Sequence, residues 1–132
     1  MMKRFFLLGI IVLGLLGTAC QKNNEHTSVL GTWYCDEYPE QSMPRTYQVN
    51  ITRSPVYDTL FYISNFYQMG FSEEAQVNFY QKPDGELVIY NQLIGNKAIY
   101  GTGTVIDNYK SIEWVYYISD GSLNERVEAT YY

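Results

Sequence analysis

The chain has 132 residues, a formal net charge of −5, and aromatic side chains at 17% of its positions, with 14 tyrosines. That length suits one domain, and so much aromatic surface excludes a disordered chain, which lacks the means to offset chain entropy. The acidic balance excludes nucleic acid, which demands a basic footprint, while one histidine and two cysteines exclude a histidine-pair mechanism and a disulfide-dense scaffold.

The first twenty residues read as an address. Lys3 and Arg4 give a positive start, and positions 5–17 then carry no charged or polar side chain. This matches the apolar core of a secretory signal and is too short to span a bilayer. The stretch Leu16-Gly17-Thr18-Ala19-Cys20 resembles the lipobox of bacterial lipoproteins. There, small residues fit the peptidase and the cysteine thiol takes the diacylglyceryl group. Gly17 stands where that family usually has leucine. The resemblance implies a signal peptide at 1–19, a lipid on Cys20, and a membrane partner held through acyl chains, since one chain alone anchors only marginally. Gln21-Lys22-Asn23-Asn24-Glu25 is similar to export tags that send lipoproteins to the cell surface, with asparagines replacing most of the acids. The implied location is the cell envelope, as an outer-membrane lipoprotein displayed at the surface or facing inward. Positions 20–28 form a polar tether.

From position 29 onward, short aromatic and β-branched runs are cut by turn residues. Strands are predicted at 29–37 and 45–53, the second with Tyr47, Val49 and Ile51 on one face, the period-2 alternation of a half-buried strand. Ser54-Pro55 breaks it. Further strands follow at 59–66 and 75–81, with 67–74 a loop or one helical turn between them. Lys82-Pro83-Asp84-Gly85 is a turn by its proline and glycine. Strands at 86–91, 97–107, 111–119 and 124–132 complete the set, separated by Gly95-Asn96, a short link at 108–110, and Asp120-Gly121. In the seventh, Ile112, Trp114, Tyr116 and Ile118 share a face. Eight such strands with no long helical period predict an all-β fold, a small antiparallel up-and-down barrel.

Gly31-Thr32-Trp33 is similar to the Gly-x-Trp signature of lipocalins and the wider calycin group. The span 29–132 resembles small lipocalin-like envelope lipoproteins, through Ile63-Ser64-Asn65-Phe66, Gly101-Thr102-Gly103 and the tyrosine-rich end. The resemblance implies that Gly31 and Trp33 close one end of the barrel and that a basic residue of the last strand, Arg126, covers Trp33 by a cation–π contact. At about 104 residues, the barrel is shorter than a full lipocalin.

The residues offer little chemistry. Cys35 shares a face with Trp33 and reads as a small buried hydrophobe; His26 falls in the tether, so no base stands beside a nucleophile. No metal site and no cofactor are expected. Asp36, Glu37, Glu125 and Glu128 are expected on a wet outer face, and Glu73-Glu74 in solvent. Gly101 and Gly103 leave one strand face bare, which suits a close crossing or a bend. Tyrosine, amphipathic and cheap to order, recurs in contact surfaces. Tyr62, Tyr100, Trp114 and Tyr116 are therefore the candidate ligand-binding residues, weighed against ordinary core and cross-strand pairs. The expected function is non-enzymatic: an envelope binding protein for a small hydrophobic or aromatic-stacking ligand, a lipid or glycan fragment. The alternative is a structural or protein-interaction lipoprotein without a cavity.

Overall fold

A computed structural model describes residues 26–132. The leader, the lipobox and Cys20 lie outside the described residues. Eight strands form the body: β1 Gly31–Pro39, β2 Arg45–Arg53, β3 Leu60–Ser64, β4 Val77–Gln81, β5 Leu87–Ile94, β6 Lys97–Ile106, β7 Ser111–Ser119 and β8 Asn124–Tyr131. Two short 3-10 turns, Phe66–Gln68 and Glu73–Ala75, lie between β3 and β4.

Each strand pairs antiparallel with its sequence neighbour, and β1 pairs with β8, so the sheet closes into an up-and-down barrel. Closure removes the sheet edges that would otherwise template aggregation. Alternation decides which side chains enter. On β7, Ile112, Trp114, Tyr116 and Ile118 point inward and are buried, while Glu113 is exposed. On β8, Glu125, Val127, Ala129 and Tyr131 are buried.

Two adjustments let this small barrel close around large rings. Gly103 faces Trp114 across the ladder, and a Cβ there would stand 2.6 Å from the Trp114 ring. At Gly101 a Cβ would stand 2.4 Å from the Val115 carbonyl oxygen. The bare face expected on β6 thus turns inward, where the rings of β7 occupy the space. The second adjustment is a bulge in β5 between Ile89 and Gln92, which shifts register against β6 and turns Leu93 to solvent. It also loosens the β4–β5 seam, whose register pairs are Tyr80 with Val88 and Gln81 with Leu87. The Gln92 amide bridges the gap. Its Nε2 donates to the Asn78 carbonyl at 2.8 Å, and its Oε1 accepts from the Asn78 N–H at 2.8 Å.

The lumen is packed, as interiors generally are. Trp33, Phe66, Phe79, Trp114, Tyr116 and Tyr131 are almost fully shielded. Phe79 meets Trp114 edge-on at 5.3 Å, and Phe66 tilts against Tyr116 at 4.5 Å. Phe66 and Tyr67 come from the β3–β4 connection, which folds over the end of the barrel where β1 stops and β2 starts. Asn65 holds that connection, donating to the Gln48 carbonyl at 2.8 Å and accepting from Gly70 N–H at 2.9 Å.

Candidate functional site

The opposite end is closed by Trp33, which is buried and donates from Nε1 to the Val29 carbonyl at 2.9 Å. The ring over it is not Arg126. His26 lies flat on Trp33, with ring centroids 3.5 Å apart and planes 11° apart, and its Nδ1 donates to the Leu30 carbonyl at 3.2 Å. Gly31 makes room. Its φ is +115°, unfavourable for side chains, and a Cβ there would sit 3.4 Å from the His26 ring. Arg126 falls on the outward positions of β8, between buried Glu125 and Val127, so strand alternation carries it away from Trp33. Its guanidinium bonds to Glu128 at 2.9 Å. Polar neighbours made His26 look like tether; only its packing brings it into the closed end.

Two glutamates are also misplaced by sequence. Asp36 and Glu128 stay on the outer side, but Glu37 and Glu125 point inward and are buried. Glu37 keeps the face of Trp33 and Cys35, and its charge is met by donors. Arg45 donates from Nε to Glu37 Oε2 at 2.5 Å. Tyr47 donates to Oε1 at 2.9 Å, and Tyr116 donates to the same oxygen. Glu125 accepts from Gln41 N–H at 2.7 Å, from Tyr67 hydroxyl at 3.1 Å and from Ser42 hydroxyl at 3.2 Å. The Arg45 guanidinium sits 4.1 Å from the centre of the Tyr67 ring and links the two clusters. Every carboxylate oxygen of the pair already accepts a hydrogen bond. The arrangement ties β1, β2, β7, β8 and the β3–β4 connection together.

Burial also fixes the protonation of nearby groups. It pushes the Cys35 thiol up to about 12, aided by the Glu37 charge. Tyr47, Tyr116 and Tyr131 are raised well above the ordinary phenol value, chiefly by desolvation. Among the described residues, no group of three or more His, Cys, Asp or Glu side chains could hold a metal ion.

The four tyrosine and tryptophan candidates do not converge. Trp114 and Tyr116 are core, so they offer no shelf to a ligand. Tyr62 is on the outer wall of β3, half-buried, opposite Thr52 and Asn78. Tyr100 also faces outward, with Thr102 and Thr104, because β6 turns Ile99, Gly101 and Gly103 inward. There it stacks on Tyr117, centroids 5.0 Å apart and planes at 15°. The pair borders an outer-wall groove of about 640 Å³ over β5, β6 and β7, lined also by Val88, Asn91, Thr102 and Val115. Tyr117 is visible in the sequence as one more strand tyrosine; its partnership with Tyr100 needed the β6–β7 register.

The fold and these sites define a closed eight-stranded antiparallel barrel with a filled interior and an aromatic groove on its wall. No family model and no curated protein matches the chain. Among solved structures it is similar to a redesigned β-barrel, with 15% identity, 77% of this chain and 88% of that chain covered, and a TM-score of 0.49.

Proposed function

We propose that this chain is a lipid-anchored envelope protein that binds, without chemistry, a small aromatic-stacking or hydrophobic ligand, a lipid or glycan fragment. The ligand sits on the barrel wall rather than in the lumen. The observation that carries this is the outward Tyr100–Tyr117 stack, Tyr100 exposed and Tyr117 half-buried, beside a groove of about 640 Å³. Its volume falls in the range of small-molecule sites, roughly 300–1,000 Å³. Asn91 and Thr102 add hydrogen-bonding groups to an apolar floor, the mixture that orients a sugar or a lipid head. The absence of a base beside Cys35 among the described residues and the burial that raises its thiol to about 12 support a non-enzymatic reading. The anchor rests on the resemblance of the Cys20 region to a lipobox, and with it the outer-membrane location.

The test is a titration followed by NMR, with palmitate and with N-acetylglucosamine oligomers as separate probes. Shifts centred on Tyr100 and Tyr117, weakened about fivefold by Tyr117→Ala, are expected, since an aromatic contact contributes on the order of 1 kcal/mol. Shifts confined to other surfaces would overturn the groove assignment.

A second reading, docking to another envelope protein, is favoured by the rim opposite Trp33. There Met43, Phe71 and Leu93 are 84%, 64% and 73% exposed. Loss of co-purifying envelope protein on changing all three to serine, with the Tyr117→Ala variant unaffected, would favour it.

A further inference from the structure

We propose that the His26–Trp33 end of the barrel lies on the bilayer, with Val56 and Tyr57 seated in its headgroup layer. This rests on the reading of Cys20 as the lipid-bearing residue. Cys20 and His26 are six residues apart in the chain. Fully extended, six steps reach at most about 20 Å. His26 is fixed at its end by the Trp33 stack and the Leu30 carbonyl. The longest strand, β6, has 10 residues. At about 3.3 Å per residue and a tilt near 40°, the wall is roughly 25 Å tall. A leash that short cannot bring the opposite rim to the membrane.

The end within reach is furnished for an interface. Gly31 pairs with Ile51, so the start of β1 lies beside the end of β2 and the loop 54–59 that follows. At its tip Val56 and Tyr57 are exposed side by side, although neither serves the core. The loop is built to hold them. Ser54 is buried, and its hydroxyl accepts from the N–H groups of both Val56 and Tyr57 at 3.2 Å. The Ser54 N–H donates to the Leu60 carbonyl at 2.8 Å. A tyrosine beside an aliphatic residue suits a boundary that is apolar on one side and wet on the other.

Next to this loop lies a groove of about 710 Å³ that mixes Arg53 and Lys82 with Asp58 and Asp84. Lys82 stands 3.8 Å from Asp84 and 3.6 Å from Glu86 in exposed pairs, weak enough in water to be exchanged for the phosphate and ammonium of a zwitterionic headgroup.

The experiment uses the full chain, made in a host that lipidates it and reconstituted in phosphatidylethanolamine–phosphatidylcholine vesicles. A nitroxide is placed in turn at Thr59→Cys at the end of the loop, Leu93→Cys on the far rim and Glu113→Cys on the wall. Buried Cys35 is shielded from the label. Vesicle binding should lower nickel-chelate access at position 59 several-fold and leave 93 and 113 unchanged. Adding Val56→Ser and Tyr57→Ser should return position 59 to aqueous access while the protein still pellets. Protection at 93 or 113 instead, or equal exposure at all three, would overturn the orientation while leaving the anchor intact. A mass without acyl chains, or a protein that stays in solution, would overturn the anchor reading itself and this inference with it.

Discussion

His26 and Trp33 form one flat, two-ring plug, 3.5 Å between centroids, at the end of the barrel where β1 begins. The plug joins a residue ahead of the first strand to its buried tryptophan. Its loss should therefore be felt as a core change. Trp33→Ala should cost about 3–5 kcal/mol of unfolding free energy, as large core truncations do. His26→Ala should cost about 1–2 kcal/mol through the lost stack. Arg126→Ala, at an exposed ion pair with Glu128, should stay within about 0.5 kcal/mol. Urea unfolding of the three variants checks the order, and an Arg126 effect rivalling that of His26 would mean the plug is misassigned.

Gly103 and Gly101 should be the least replaceable positions of β6. Alanine at Gly103 drives a methyl into the Trp114 ring, and at Gly101 into the backbone of β7. Overpacking of this kind costs about 1–3 kcal/mol, occasionally more. The Gly101 variant should be worse, because a backbone yields less than a ring. Melting temperatures of both would show it, alongside Thr102→Ala, an exposed control.

The Glu37 cluster predicts an asymmetry between two substitutions. Glu37→Leu strips partners from the Arg45 guanidinium and from the Tyr47 and Tyr116 hydroxyls together. Each buried phenol left without an acceptor costs about 1–3 kcal/mol, while the Arg45 charge, with its side chain 31% exposed, keeps part of its hydration. Glu37→Gln keeps an acceptor for the phenols and loses the charge alone, so it should cost clearly less. Equal losses in chemical denaturation would show that shape, not hydrogen bonding, is what Glu37 supplies.

The buried phenols set the alkaline limit of the fold. Tyr47, Tyr116 and Tyr131 are held protonated by desolvation, above the value they take in the unfolded chain. A group raised in this way contributes stability that is fully present below the unfolded value, near 10, and is lost as pH rises beyond it. The phenols' contribution should be constant up to about pH 9 and fall away above 10, with the raised Cys35 thiol adding to the loss from about pH 9 upward. Phenolate absorbance should rise in two stages, exposed tyrosines first and the buried set only with unfolding. A single smooth titration with the fold retained would contradict the packing.

Cys35 should be inert while the barrel is closed. Its thiol is buried and pushed up to about 12, so little thiolate forms at neutral pH. Iodoacetamide at pH 8 should leave it unmodified natively and alkylate it in urea. Prompt native alkylation would mean that the barrel opens between β1 and its neighbours.

The strand plan was readable because a barrel wall is half-buried. β2 and β7 lie where the alternation of Tyr47, Val49 and Ile51, and of Ile112, Trp114, Tyr116 and Ile118, predicts them. β5 outran its prediction, since a bulge resets the alternation after Ile89 and hides Leu87–Ile94 as one strand. The candidate ligand residues fared differently. Tyr100 and Trp114 look alike in sequence, and the inward or outward sense of each strand alone separates groove from core.

What the sequence determined by itself was local: strand positions, turns, and which residues share a face, because a period of two is written in neighbouring side chains. What the tertiary structure decided was which face is the inside and who meets whom across it. Burial of Glu37 and Glu125, the covering of Trp33 by His26 rather than Arg126, and the Tyr100–Tyr117 stack all depend on inter-strand register and barrel closure. Those are set by the joint packing of distant segments, and no single segment carries that information.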